Sequence, residues 1–178
     1  PKYMGGPLGY PPRIFQTQLN YFFPGDKRYV KTTLAKQLAL YVVMYSPLQM
    51  AADLPENYEK YMDAFQFIKD VALDWDDTKI LSAEPGDYIH TARKAKGTDN
   101  WFVGGITDEN ARNYTIDFSF LDPNKKYEAT VYEDGKDADY INNPQSYHIY
   151  KKIITSKTKL PMHLVRSGGY AISVKPVN

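Results

Sequence analysis

The chain has 178 residues, of which 43% are hydrophobic and 15% aromatic, so it can build a packed core and lacks the composition of a disordered segment. Its 22 Lys and Arg against 21 Asp and Glu give a net charge of +1, which excludes the strongly basic surface that nucleic acid binding normally requires. The absence of cysteine excludes disulfides, thiolate metal sites and cysteine nucleophiles.

The N-terminal residues do not have the pattern of a targeting segment. Pro1 is followed by Lys2-Tyr3-Met4-Gly5-Gly6, which lacks the basic and apolar regions of a signal peptide, so we expect the chain to begin inside a longer protein. The longest apolar run, residues 38–45, has eight residues, too few for a membrane-spanning helix. We therefore predict no membrane segment.

The first elements have helical spacing. Residues 4–12 are predicted to be the end of a strand entering a proline-rich loop. Apolar residues at three- and four-residue steps then predict a helix from Tyr29 to Tyr45. Because proline disfavours helical geometry in the residue before it, Pro47 places the helix end near Ser46.

A strand and a second helix are predicted next. Residues 47–53 form a short apolar run that ends in Asp53, and Pro55 then begins a helix predicted to reach Val71. Asp53 followed by Glu56 resembles a capping box. Helix, buried strand and amphipathic helix in succession indicate parallel α/β structure.

The remaining hundred residues have the signature of an all-β domain. Short segments rich in β-branched and aromatic residues are separated by turn residues such as Pro85-Gly86 and Asp134-Gly135. The predicted strands are 79–83, 88–93, 101–103, 114–120, 127–132, 147–154, 160–165 and 170–175. Eight short strands at this spacing favour an antiparallel sandwich.

The change of periodicity near residue 75 divides the chain into residues 1–75 and 76–178. Two β/α units cannot cover a parallel sheet by themselves, since its strands need neighbours on both edges and cover on both faces. We expect the first part to pack against another copy, the β domain or a further part of the same protein.

Residues 45–59, Tyr-Ser-Pro-Leu-Gln-Met-Ala-Ala-Asp-Leu-Pro-Glu-Asn-Tyr-Glu, resemble the last strand and following turn of the catalytic barrel in glycoside hydrolase family 97. The segments 63–68 and 101–109 resemble the same family. The resemblance extends from about Met4 to the C-terminus. It implies a multidomain fragment of α+β class, with residues 1–75 as the end of a (β/α)8 barrel and residues 76–178 as the antiparallel β-sandwich.

The family contains α-glucosidases and α-galactosidases, and the resemblance is closest to the α-glucosidase branch of Bacteroides-type bacteria. It implies a periplasmic parent enzyme that hydrolyses oligosaccharides of the starch type with paired carboxylates and holds a calcium ion through glutamates. Those residues lie upstream of Pro1, so the fragment is expected to be inactive and to hold no cofactor or metal. In the loop of residues 6–15 the sequence departs from many relatives at Gly9, Pro11 and Arg13, and substrate contacts are therefore not carried over there.

Several residues of this chain are candidates for a site. Asp53 ends a presumed barrel strand and is a candidate for the substrate mouth, although helix capping explains it as well. Residues 74–77 cluster carboxylates without the spacing of an EF-hand and are interpreted as a solvated linker rather than a calcium site. His90, His148 and His163 are scattered one to a strand and are predicted to lie on the sheet surface.

Two other functions remain open. A carbohydrate-binding module would display a row of exposed aromatics among the 16 tyrosines and two tryptophans. A purely structural assembly domain would leave an apolar patch exposed at Tyr41, Val42, Met44 and Tyr58. Within the family, the α-galactosidase branch is the alternative to the α-glucosidase branch.

Overall fold

The structure is a computed structural model that describes residues 14–177. The predicted strand end at residues 4–12 lies outside this range. Three α-helices come first: α1 (Leu34–Val43), α2 (Pro55–Glu59) and α3 (Met62–Asp70), after a 3-10 turn at Leu19–Tyr21. Among residues 14–177, no helix has the length and hydropathy to cross a membrane.

Eight strands follow the helices, as the alternation of apolar and aromatic residues predicts. They are β1 (Trp75–Glu84), β2 (Tyr88–Ala95), β3 (Trp101–Thr107), β4 (Arg112–Asp117), β5 (Lys126–Asp134), β6 (Tyr147–Ile154), β7 (Lys159–Leu164) and β8 (Gly169–Val177). Six form an antiparallel sheet in the order β1-β2-β3-β8-β5-β6, and β4 pairs with β7 in a second sheet. The predicted antiparallel β domain of about eight strands is confirmed.

The six-stranded sheet is covered on both faces. Val103 and Ile172 lie in the core between this sheet and the β4–β7 pair, whereas Phe102 and Ala171 lie in the core beneath the helices. Because successive side chains of a strand point to opposite faces, neighbouring residues of β3 and β8 enter different cores. The helices therefore share one core with the sheet face that they cover, and the opposite face belongs to a second core with β4 and β7.

Two adjacent glycines allow the layers to approach the central strand β3. A Cβ on Gly104 would lie 2.9 Å from both the Ala39 carbonyl oxygen and the Val42 Cβ of helix α1. On the opposite face, a Cβ on Gly105 would overlap the Tyr170 ring. Distances this short do not occur for real Cβ atoms, so both positions require glycine for close packing.

Helix α1 is shorter than predicted because its N-terminus is fixed by a cap. The Thr33 side chain accepts a hydrogen bond from the Lys36 amide at 3.2 Å, which places the start at Leu34 rather than Tyr29. Residues before it pair elsewhere: the Val30 amide donates to the Thr17 carbonyl at 2.8 Å. The helix ends at Val43 because Met44 is extended.

The predicted helix 55–71 is two helices. Tyr61 has a φ of −136° and a ψ of 48°, which is not helical, and it separates α2 from α3. Its ring lies 6.1 Å from each of the Phe15 and Tyr147 rings in edge-on geometry. The break coincides with this packing, which sequence periodicity does not report.

The strand predicted at residues 47–53 is not formed. These residues are turns and irregular backbone apart from a bridge at Gln49, and no strand among residues 14–177 lies beside them to form a ladder. A parallel strand needs such neighbours. The described residues therefore do not test the predicted parallel α/β pairing, which stays a prediction.

The apolar patch expected of an assembly domain is also not present. Tyr41, Val42 and Tyr58 are buried in the core beneath the helices, and only Met44 of the four predicted residues is exposed, at 37%. Val42 packs on β3 at Gly104, and the Tyr58 ring packs on Phe15 and Phe65.

Candidate functional site

Asp53, the predicted substrate-mouth residue, uses both carboxylate oxygens within the chain. Oδ2 accepts hydrogen bonds from the Phe15 and Gln16 amides at 2.8 and 2.7 Å. Oδ1 accepts from the Leu54 amide at 2.8 Å and from Asn57 Nδ2 at 2.7 Å. Asp53 therefore joins the segment before helix α2 to a segment 38 residues earlier.

The predicted capping box at this residue is wrong. The N-cap position of α2 is Leu54, whose side chain makes no capping hydrogen bond. Asp53 reaches its partners through a tertiary contact rather than through the reciprocal bond with Glu56 that the local pattern predicts. A substrate contact of Asp53 stays a prediction.

The acidic residues 74–77 are not a linker, because β1 begins at Trp75. Asp74 forms an ion pair with Lys96 at 2.7 Å, and Asp77 forms one with Lys79 at 3.0 Å. Asp76 accepts a hydrogen bond from the Gly97 amide at 2.8 Å. In residues 14–177 no three His, Asp or Glu side chains are grouped so that they could hold a metal ion.

One of the three histidines is buried, contrary to the prediction that all lie on the sheet surface. His148 and His163 are exposed, but His90 is 1% exposed. Its Nδ1 lies 2.9 Å from the Tyr170 hydroxyl, and its ring stacks on Tyr114 with centroids 3.8 Å apart. Burial lowers the pKa of His90 to about 4, so the ring is neutral near pH 7 and serves as a packing group.

The aromatic residues of the strands also pack inward. Trp101, Tyr127, Tyr132 and Tyr170 are buried, and Tyr88 and Tyr114 are half-buried around His90. None of the eight described strands presents a row of exposed rings, which a sheet-face sugar platform would need. Exposed aromatic rings occur instead before β1, at Tyr21, Phe23 and Tyr45.

Asp134 is a buried carboxylate at the junction of helix α1 and the six-stranded sheet. Its Oδ1 accepts a hydrogen bond from the Thr33 hydroxyl at 2.6 Å, and its Oδ2 accepts from the Val165 and Gly169 amides at 3.1 and 2.9 Å. The same Thr33 side chain caps the helix. One acidic group thus connects the helix N-terminus, the end of β5 and the turn between β7 and β8.

Burial shifts the pKa values of the two charged groups at this junction, Asp134 and Lys36. It raises the pKa of Asp134 to about 7, although the three hydrogen bonds and the positive charge of Lys36 favour the ionised form. Burial also lowers the pKa of Lys36, whose Nζ donates to the Thr107 carbonyl at 2.6 Å. The ammonium group therefore anchors the first turn of α1 to the end of β3.

Comparison with known proteins gives a consistent set of relatives. A family model described as "Glycosyl-hydrolase 97 C-terminal, oligomerisation" matches residues 74–175, which is more than half of the chain. A protein of Bacteroides thetaiotaomicron named retaining alpha-galactosidase is 37% identical over 97% of this chain and 26% of its own length.

Solved structures are similar over the same range. A glycoside hydrolase family 97 enzyme from Pseudoalteromonas sp. strain K8, in complex with acarbose, is 46% identical with a TM-score of 0.91, over 97% of this chain and 27% of that one. A variant of that enzyme in complex with panose gives the same values. The chain thus spans about a quarter of the length of these relatives.

The hydrogen bonds of Asp53 predict that the protein loses stability when this side chain is replaced by alanine. Asp53→Ala leaves the Phe15, Gln16 and Leu54 amides without their acceptor, and we expect the free energy of unfolding to fall by roughly 1–3 kcal/mol. Urea unfolding of the chain measures this. Asp77→Ala, which removes an exposed ion pair, should change it by less than about 0.5 kcal/mol. A stable Asp53→Ala variant would contradict the structural role.

The buried carboxylate predicts a pH dependence. Between about pH 4 and pH 7 the folded state holds a proton on Asp134 that the unfolded state has released, so the free energy of unfolding should fall as pH rises through this window. In Asp134→Asn the amide oxygen still accepts from the Val165 and Gly169 amides and the NH2 group donates to Thr33, and this contribution disappears.

The measurement is the free energy of unfolding of the chain by urea from pH 4.5 to pH 8. Across this range the free energy of unfolding of the wild type should fall by up to about 2–4 kcal/mol relative to that of Asp134→Asn. Asp137→Asn is the matched control, since hydrogen bonding lowers the pKa of the exposed Asp137 and it stays ionised throughout. If the free energy of unfolding changes with pH in the same way in the wild type and in Asp134→Asn, the prediction is contradicted.

Proposed function

The chain belongs to glycoside hydrolase family 97, and from that membership we propose that the full-length protein hydrolyses α-glucosidic bonds in oligosaccharides of the starch type, with this chain as its C-terminal part. The observation that carries the proposal is the 46% identity, over 97% of the chain, to an enzyme solved with acarbose and with panose. Panose is a trisaccharide of α-linked glucose units, which favours a glucoside substrate.

Within that enzyme the chain has a supporting role. The paired carboxylates of glycoside hydrolysis lie in the preceding part of the protein under this proposal, and residues 1–75 form the end of a (β/α)8 barrel. Most exposed large apolar side chains of the described residues precede Trp75, including Tyr45, Leu48 and Leu54. Such a surface is expected where the rest of a barrel packs. The β domain then holds helices α1 and α3 from the other side.

A second candidate substrate is an α-galactoside. The relative from Bacteroides thetaiotaomicron is named a retaining alpha-galactosidase, and its 37% identity is lower than the 46% of the structure solved with panose. We therefore place the α-glucoside first. A separate carbohydrate-binding module is less well supported, because the strands bury their aromatic rings.

Self-association, calcium and a periplasmic location complete the proposal. Self-association is supported by the description of the matching family model and is measured by sedimentation of the full-length protein, where a monomer at all concentrations would exclude it. Calcium, bound upstream of this chain, is tested by loss of activity in EDTA and its return with Ca²⁺. Location is tested by osmotic-shock fractionation of the source cells.

The activity itself is tested with p-nitrophenyl α-glucoside and α-galactoside. We expect the full-length protein to hydrolyse the glucoside with a kcat/KM at least about tenfold higher, a preference of about 1.4 kcal/mol. The isolated chain should hydrolyse neither substrate, because it lacks the carboxylate pair. A preference for the galactoside would move the assignment to the second candidate, and turnover by the purified chain would refute the supporting role.

A further inference from the structure

The segments that precede helices α1 and α2 lie together. Asp53, just before α2, accepts hydrogen bonds from the Phe15 and Gln16 amides, which belong to the segment that leads into α1. In a (β/α)8 barrel, the segments that precede the helices build the active-site face. If residues 1–75 are the end of such a barrel, as proposed above, residues 14–33 lie on the substrate side.

Residues 18–29 of this segment form an ordered loop. Gln18 and Tyr29 pair in a short antiparallel bridge, and the Leu19 amide donates to the Arg28 carbonyl at 3.0 Å. At the tip, Gly25 has a φ of +88°, and its amide donates to Asn20 Oδ1 at 2.8 Å. The loop therefore has a defined shape before any ligand binds.

A cavity of about 440 Å³ lies between this loop and the β domain. Its size is within the range of small-molecule sites. Seven residues of the loop and one aliphatic residue of the β domain line it: Gln18, Asn20, Gly25, Asp26, Lys27, Arg28, Tyr29 and Ile141.

The β-domain side of the cavity is also held in place. Gln18 Nε2 donates to the Ile141 carbonyl at 3.2 Å, and the Tyr29 and Tyr140 rings lie 6.1 Å apart. Arg166 forms an ion pair with Asp139 at 3.1 Å, and its guanidinium lies over the Tyr140 ring. Contacts outside the cavity thus fix the position of the residues on both of its sides.

We propose that this cavity is an oligosaccharide subsite, in which the β domain helps to bind a glucose unit remote from the bond that is hydrolysed. The inference rests on the proposed function. Hydroxyls of a hexose match the N–H donors of amide and guanidinium groups, and the apolar face of the sugar ring matches an aromatic side chain.

The lining groups leave donors for such a ligand. Asn20 uses its Oδ1 for Gly25, and Asp26 uses both oxygens for Arg28, with Nη2 to Oδ2 at 2.7 Å. No hydrogen bond within residues 14–177 engages the Nδ2 of Asn20 or the Nη1 of Arg28. These groups can bind sugar hydroxyls without breaking the contacts that shape the loop.

The test compares long and short substrates of the full-length protein. Ile141→Trp fills the cavity from the β-domain side, and Arg28→Ala removes an exposed lining group. We expect kcat/KM for maltoheptaose to fall about tenfold in Ile141→Trp and about threefold in Arg28→Ala. The kcat/KM for p-nitrophenyl α-glucoside, which has one sugar ring, should not change. Ile153→Trp is the control: it makes the same change near the C-terminal end of β6, away from the cavity, and should leave kcat/KM for both substrates unchanged.

The outcomes separate this inference from the proposed function. Unchanged maltoheptaose kinetics in both cavity variants, or an equal loss on both substrates, would overturn the subsite. If the wild type hydrolyses no α-glucoside, the proposed function fails, and titration calorimetry with maltoheptaose then decides the subsite alone. A Kd weakened by Ile141→Trp but not by Ile153→Trp would support it, and no binding to the wild type would overturn it.

Discussion

The structure depends on the close approach of helix α1 to strand β3 at Gly104. With no side chain there, the helix backbone lies directly on the sheet, and Phe102 and Ala171 join Leu38 and Tyr41 in one core. Gly105 allows the same close packing on the opposite face of the sheet, where His90 and Tyr170 occupy the space that a side chain would take. A larger residue at either position would separate a layer from the sheet, and the apolar area buried there would be lost.

A polar contact sets where the helix lies along that sheet. Apolar packing is not directional, so it would tolerate a helix shifted along its axis. Asp134 removes this freedom because its carboxylate contacts the helix cap at Thr33 and the amides of Val165 and Gly169. Burying such a group is costly unless its hydrogen bonds are made, so a shifted helix would leave it without partners. The contact therefore specifies the position of the helix along the sheet.

The strands were predictable because their signal is local, whereas the site residues were not. Alternating aromatic and β-branched residues, separated by turn residues, predict all eight strands. His90 was misplaced because β2 is covered on both faces although polar residues, His90 on one face and Thr91 and Arg93 on the other, suggest exposure. Asp53 resembles a helix cap in sequence, yet two of its partners are backbone amides 37 and 38 residues away. Backbone amides have no residue signature, so no pattern could reveal that contact.

The outer strands limit how copies of this chain can associate. β1 has register irregularities near Asp76 and Leu81 and carries the Asp77–Lys79 pair, while β6 exposes Lys151 and Lys152. Bulges and lysines on an edge disfavour the addition of another strand. Self-association through either edge of the six-stranded sheet is therefore disfavoured. If the full-length protein associates as proposed, we expect side-chain surfaces rather than backbone hydrogen bonds to form the contact. Ile141 lies on a loop and not on an edge strand. The cavity beside it would therefore remain open to substrate.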